Sequence, residues 1–229
     1  MADEQGWQAW FADYRAFMLH YARLAQVSGI EALCIGTELH KPAVEREADW
    51  RVLIADIRQV YHGQLTYAAN WYIEFEEIAF WDALDFIGIQ AYFPLTQDKD
   101  PSAEQLLAGW QQHLVAIERV QQQYGKPVLV TELGYHSAAA AAVRPWEWRA
   151  SAEENDYEAG RRTQANAYKA FYQAFWDKAW FAGVYFWKWY PQYENSGGPY
   201  DRDFTPQNKP AEQVMRHFFM RAASSEATP

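Results

Sequence analysis

Cysteine is almost missing from this sequence: the one example, Cys34, has no partner for an internal disulfide. It lies in an apolar run, where a buried and inert thiol is the expectation. Basic residues are outnumbered, with 20 Lys and Arg against 30 Asp and Glu and a formal net charge of −10. An acidic chain without a Lys/Arg run argues against nucleic acid and against anionic membrane surfaces as partners. A neutral substrate or a cation suits it better. No stretch approaches the roughly 20 apolar residues needed to span a bilayer. The opening MADEQGWQAWF has no basic segment followed by an apolar core, so it does not read as a signal peptide, and localisation stays open. Neither G-x-G-x-x-G nor G-x-x-x-x-G-K-[ST] occurs, which weakens a nucleotide-binding doubly wound fold. The six His show no H-E-x-x-H or paired-ligand spacing, so no metal site is expected.

Aromatic residues are plentiful instead: 12 Trp, 15 Tyr and 13 Phe. Many must fill the core, but the same abundance suits sugar binding, where the apolar face of a pyranose lies on an indole ring. Half of the chain is hydrophobic by count and 22% is charged, the balance of a globular protein. There is no Gly/Ser/Pro linker and no short-period repeat, so residues 1–229 read as one domain.

Short β-rich runs alternate with longer amphipathic stretches, the pattern of a parallel α/β architecture. Trp7, Trp10, Phe11, Tyr14, Phe17, Met18 and Tyr21 recur at helical spacing and predict a helix over 5–27. Strands are expected at 30–38, 65–71, 86–92, 128–133 and 183–189. Helices are expected at 49–61, 74–83, 102–124, 157–178 and 211–220, with Ser102 as an N-cap and Gly125-Lys126-Pro127 as a stop. Residues 136–156 read as an irregular loop.

Strand side chains alternate between faces. Leu33 and Ile35, Ile87 and Ile89, and Val184 and Phe186 form apolar sets suited to packing beneath helices. The opposite sets end in Glu38, Asn70, Gln90 and Tyr92, Glu132, and Tyr185 and Trp187, all at C-terminal strand ends. In a (β/α)₈ barrel that rim is where active sites are built. Two glutamates there are costly unless paired, either with structural arginines or as working carboxylates.

The segments LCIGTEL (33–39), LTYAANW (65–71), DFIGIQAYFPL (85–95), KPVLVTELGY (126–135) and GVYFWKWYP (183–191) resemble strands four to eight of retaining barrel glycoside hydrolases. With Thr37-Glu38, Ala69-Asn70-Trp71 and the closing FTPQNKPAEQV (204–214), the wording is most similar to glycoside hydrolase family 113, the β-mannanases. The resemblance implies a (β/α)₈ TIM barrel truncated at its N-terminus, with five of eight strands recognisable. It implies two-step hydrolysis of β-1,4-linked mannan or manno-oligosaccharides. Glu38 would be the acid/base and Glu132 the nucleophile, their carboxyl groups about 5–5.5 Å apart. A less polar setting or the charge of Glu132 would keep Glu38 protonated, while hydrogen bonds keep Glu132 ionised. Tyr92 matches a tyrosine that bonds the nucleophile, and Trp187 a tryptophan forming the floor under the reacting sugar. Asn70 and Trp71 are candidate sugar contacts, as are Tyr135 and Trp189, whereas His40 reads as structural. The Trp146-Glu147-Trp148 cluster would line an outer subsite or pack its loop down. No cofactor is implied, because glycosyl transfer to water needs only carboxylates.

Thr37 stands where many relatives in the clan carry Asn, which argues against a cellulase or xylanase. Two alternatives stay open: another retaining β-glycosidase such as a β-glucanase, or a non-catalytic carbohydrate-binding partial barrel. A full barrel takes about 250 residues and eight strands. The first three strands are therefore expected to be missing, because this chain is a fragment, pairs with a second copy or another chain, or is a stable partial barrel.

Overall fold

The computed structural model describes residues 3–147 and 157–226. It contains one five-stranded sheet in the order β1-β2-β3-β4-β5, so strand order follows chain order. The chain groups into two compact units, Met1–Gln90 with Arg119–Leu129 and Ala91–Glu118 with Val130–Pro229.

In the first unit, α1 (Glu4–Val27) is capped by Asp3, whose carboxylate accepts from the Gly6 amide at 2.8 Å. Its buried face is Trp7, Phe11, Met18, Leu19, Ala22 and Ala25, the recurrence expected of one helical stripe. The Tyr14 hydroxyl donates to the Ile35 carbonyl at 2.8 Å and ties α1 to β1 (Ala32–Thr37). A short helix follows that the sequence pattern did not announce, α2 (His40–Glu45). It tolerates Pro42 because a proline in the first helical turn has no amide bond to lose. Then α3 (Glu47–Val60) buries Trp50, Leu53, Ile54 and Ile57. β2 (Gln64–Asn70) pairs in parallel with β1 and with β3 (Ile87–Gln90). Between them lie α4 (Glu74–Glu77) and a 3₁₀ turn at Trp81–Ala83, in place of one short helix.

Tyr67 on β2 is the hub of this unit's core, with its ring against Trp50, Phe80 and Trp81. Gly36 on β1 makes that approach possible. A Cβ there would meet the Tyr67 ring at 2.7 Å and Trp50 at 2.9 Å, too close for any side chain.

The helix α5 (Ala103–Tyr124) begins with a reciprocal capping box. The Gln105 amide donates to Ser102 Oγ at 3.2 Å, and the Ser102 amide donates to Gln105 Oε1 at 2.8 Å. Gly125 ends it with φ +65°, the left-handed conformation that glycine adopts without penalty. β4 (Val128–Leu133) has the predicted bounds.

In the second unit, α6 (Tyr157–Phe175) carries Tyr168, Phe171 and Tyr172. All three rings contact Phe186 at the end of β5 (Phe181–Phe186), as its apolar parity required. β5 begins two residues earlier than the sequence pattern indicated and ends at Phe186, although the Trp187 amide still donates to the Leu133 carbonyl at 2.8 Å. α7 (Pro210–Glu226) starts with proline at its first position, where a missing amide hydrogen costs nothing. Residues 137–147 hold only turns and bends, in line with the loop expected there. No described helix is long and apolar enough to cross a membrane.

Cys34 departs from expectation: its side chain is exposed, with Sγ 3.2 Å from the Gly36 carbonyl. β1 is terminal in the strand order, and Cys34 alternates with Leu33 and Ile35, so its side chain points to the opposite side of the strand from theirs. An apolar neighbourhood in sequence therefore did not become a buried one.

Candidate active site

Two polar clusters form at C-terminal strand ends, one in each unit. The first is built around Glu38. Register between β1 and β2 shifts between Cys34 and Thr37, and such irregularities re-aim side chains at strand ends. Immediately afterwards Glu38 adopts φ +51°, rare for any residue with a Cβ, while its amide still donates to the Ala68 carbonyl at 2.9 Å. Its carboxylate is exposed and accepts from Asn70 Nδ2 at 2.9 Å. Asn70 is oriented in turn: its Oδ1 accepts from the Tyr72 amide at 2.8 Å. Trp71 is half-buried, edge-on to Tyr72. His40 lies outside this arrangement, exposed and 3.0 Å from Glu77 Oε2.

Beneath Asn70 lies Glu74, 0% exposed. Its Oε2 accepts from the Asn70 amide at 2.6 Å and its Oε1 from the Tyr67 hydroxyl at 2.7 Å. The same hydroxyl accepts from the Leu39 amide at 2.6 Å. Burial pushes Glu74 above the usual carboxylate range, and the charge of Glu38 pushes the same way against the pull of these donors and of His40. Glu74 is not legible as a site residue in the sequence, because it sits in the acidic run Glu74-Phe75-Glu76-Glu77, which reads as a solvated helix start. The available signal was its position four residues after Asn70.

The second cluster is built around Glu132. The Tyr92 hydroxyl donates to Glu132 Oε1 in a short hydrogen bond, and the Ala91 amide donates to the Glu132 carbonyl at 2.7 Å. The Tyr92 ring meets Phe204 edge-on, and Phe204 in turn packs on His136 with ring centres 3.7 Å apart. Trp187 is 45% exposed and Trp189 49%, so both present ring surface to solvent. Trp189 stacks on Tyr193, also exposed. The Trp187-Lys188 peptide is cis. Gly134 allows the strand ends to meet, since a Cβ there would lie 2.1 Å from the Trp187 carbonyl oxygen.

The closing motif holds this loop from below. Gln207 accepts from the Tyr190 amide at 2.6 Å and donates to the Tyr190 carbonyl at 2.9 Å. Asp203 accepts from the Tyr190 hydroxyl at 2.7 Å and faces Lys188 at 3.1 Å. Burial pushes Asp203 upward, but the bonds from Tyr190, the Phe204 amide and Lys188 together hold it below the usual carboxylate range. Lys209, buried, donates to Asp201 at 2.8 Å and to the Asp203 carbonyl at 2.9 Å. Lys188 and Asp203 were not singled out from sequence, because a lone Lys between tryptophans and an Asp in a polar loop carry no spacing signal.

Tyr135 is a correction. Expected among the sugar contacts, it is 0% exposed and packs against Tyr168 of α6. Two residues beyond β4 its side chain turns into the helix layer, and Gln164 Nε2 donates to its carbonyl at 2.9 Å. Trp146 is exposed, Glu147 accepts from His136 through its carbonyl at 2.9 Å, and Trp148 lies outside the described residues.

Residues 1–209 match Glycoside Hydrolase Family 113. A β-1,4-mannanase of that family, solved as a complex, is 28% identical with a TM-score of 0.77, covering 93% of this chain and 63% of that one. The family 113 β-mannanase AaManA from Alicyclobacillus acidocaldarius, solved in complex with ManMIm, is 32% identical with a TM-score of 0.76 and the same coverage, 93% and 63%. A β-glucuronidase from Ruminococcus gnavus shares the fold alone, at 11% identity and a TM-score of 0.57. No curated protein matched the chain. This chain thus spans 63% of the length of the mannanase chains it resembles. With its five parallel strands and flanking helices, it belongs to glycoside hydrolase family 113.

Proposed function

We propose that the protein hydrolyses β-1,4-linked mannan or manno-oligosaccharides by double displacement, with Glu38 as acid/base and Glu132 as nucleophile. The observation that carries this reading is the Tyr92 hydroxyl bonded to Glu132 Oε1. That bond orients the Glu132 carboxylate at the strand end, the group from which one oxygen would attack the anomeric carbon. As the glycosidic bond breaks, Glu38 gives its proton to the departing oxygen. Glu38 then removes a proton from water, which displaces Glu132 from the glycosyl-enzyme. Net retention follows from the two inversions. Asn70 holds the Glu38 carboxylate through its side-chain amide. Trp71, Trp187 and Trp189 offer partly exposed rings on which sugar faces can lie.

Membership of family 113 supports the hydrolase reading, and the mannanase likeness supports the substrate class. The test is a panel of mannan, glucan and their oligosaccharides, with product anomers followed by NMR. Mannan cleavage that first releases the β-anomer, and falls at least about 10³-fold in Glu132→Ala, is expected. Cleavage of glucan alone would sink the substrate claim. Sugar affinity without turnover, unchanged in Glu132→Ala, would replace this reading with a binding module.

A further inference from the structure

Glu74 is a fully buried carboxylate that the chemistry above does not use. Burying an ionised carboxylate is expensive, and burial does push this one above its usual range. Its two oxygens nevertheless each accept a hydrogen bond, and both donors belong to the surroundings of Glu38. One is the Asn70 amide, from the residue whose side chain holds the Glu38 carboxylate. The other is the Tyr67 hydroxyl, which in turn accepts from the amide of Leu39, the residue next to Glu38. Glu38 is therefore held on two sides, backbone and side chain, by hydrogen bonds that converge on a single buried group.

The backbone around this group is strained at two places. Glu38 has φ +51°, and Ile73, immediately before Glu74, has φ +65°. A β-branched residue in that region is an outlier. Such conformations persist only where surrounding bonds over-determine them. Ile73 turns the chain back so that Glu74 reaches the amide four residues earlier, and Gly36 leaves room for the Tyr67 ring whose hydroxyl completes the link. The ionisable groups acting on Glu74 are Tyr67, His40 and Glu38.

We propose that Glu74 is a positioning residue for the acid/base Glu38, setting both the turn that carries Glu38 and the Asn70 amide that orients its carboxylate. This rests on the acid/base role assigned to Glu38 above, but the geometry is testable apart from it. The first readout is the Asn70 side-chain amide in ¹⁵N NMR, titrated across the carboxylate range. In the unaltered chain this signal should follow the ionisation of Glu38 and lose that response in Glu38→Gln. In Glu74→Gln, which puts an NH₂ group against one of the two donors, the response should be lost although Glu38 is intact. Tyr67→Phe keeps the ring among Trp50, Phe80 and Trp81 and should weaken the response. It serves as the second variant if Glu74→Gln does not fold. An unchanged Asn70 titration in a folded Glu74→Gln or in Tyr67→Phe overturns the proposal.

The second readout is a leaving-group split. General-acid help is worth about 10²–10⁴ where the leaving group is a poor one. Glu74→Gln should slow hydrolysis of manno-oligosaccharides by about 10-fold or more. A dinitrophenyl β-mannoside, which leaves without protonation, should slow less than about 2-fold in its first step. Equal losses on both substrates would mark mere structural damage and overturn the assignment. Absence of turnover in the unaltered chain would count against the proposed hydrolysis, while the NMR titration still decides the role of Glu74.

Discussion

A side chain's role depends on what its neighbours do to its charge. Burial holds His136 below the ordinary imidazole range, against hydrogen bonds to the carbonyls of Glu147 and Arg202 that pull the other way. The unfolded chain therefore takes up the proton first as pH falls. The stabilisation from neutral His136 is complete above about pH 6.5, the unfolded value, and is lost as pH drops below it toward the folded pKa. The loss is at most about 1.4 kcal/mol per pH unit within that window. Urea midpoints at several pH values should show this slope, and His136→Phe, which keeps a ring against Phe204, should flatten it. A slope identical in both proteins would mean that other groups carry the acid sensitivity. His136 was legible in sequence only as a histidine after a strand; its burial came from Phe204, 68 residues away in the chain.

Among elements, glycine positions decide how closely the layers approach. Gly36→Ala would push a methyl into the rings of Tyr67 and Trp50, both fully buried. Overpacking of this kind costs about 1–3 kcal/mol. Thermal unfolding should register it, and a melting point unchanged from the parent would show that β1 can shift away from β2. The helices themselves were legible: the apolar stripe of α1, the Ser102–Gln105 box of α5 and the Gly125 stop are local signals that local physics obeys. α2 was not, because six residues contain too few turns for periodicity to appear.

At the scale of the whole molecule, parallel sheets are ordinarily covered on both faces. Here Cys34 on terminal β1 and Tyr185 on terminal β5 are exposed, and α1 leaves Phe17, Tyr21, Leu24 and Val27 in solvent along one stripe. Isolated in solution, this chain is expected to self-associate, with a light-scattering mass above that of one chain at about 10 µM and upward. Phe17→Glu with Leu24→Glu should lower that mass. A compact monomer at every concentration would refute the expectation and favour a self-sufficient partial barrel.

The sequence by itself determined the alternation of strands and helices, the side of β5 that Phe186 turns toward its helix, and the strand ends that carry Glu38, Asn70, Tyr92, Glu132 and Trp187. These follow from periodicity and capping, which act over a few residues. Only the tertiary structure decided that Cys34 lies open, that Tyr135 belongs to the core, and that Glu74 is buried beneath Asn70 with Tyr67 against it. Burial and hydrogen-bond partnership are properties of what packs above a residue, and that is supplied by segments far away along the chain.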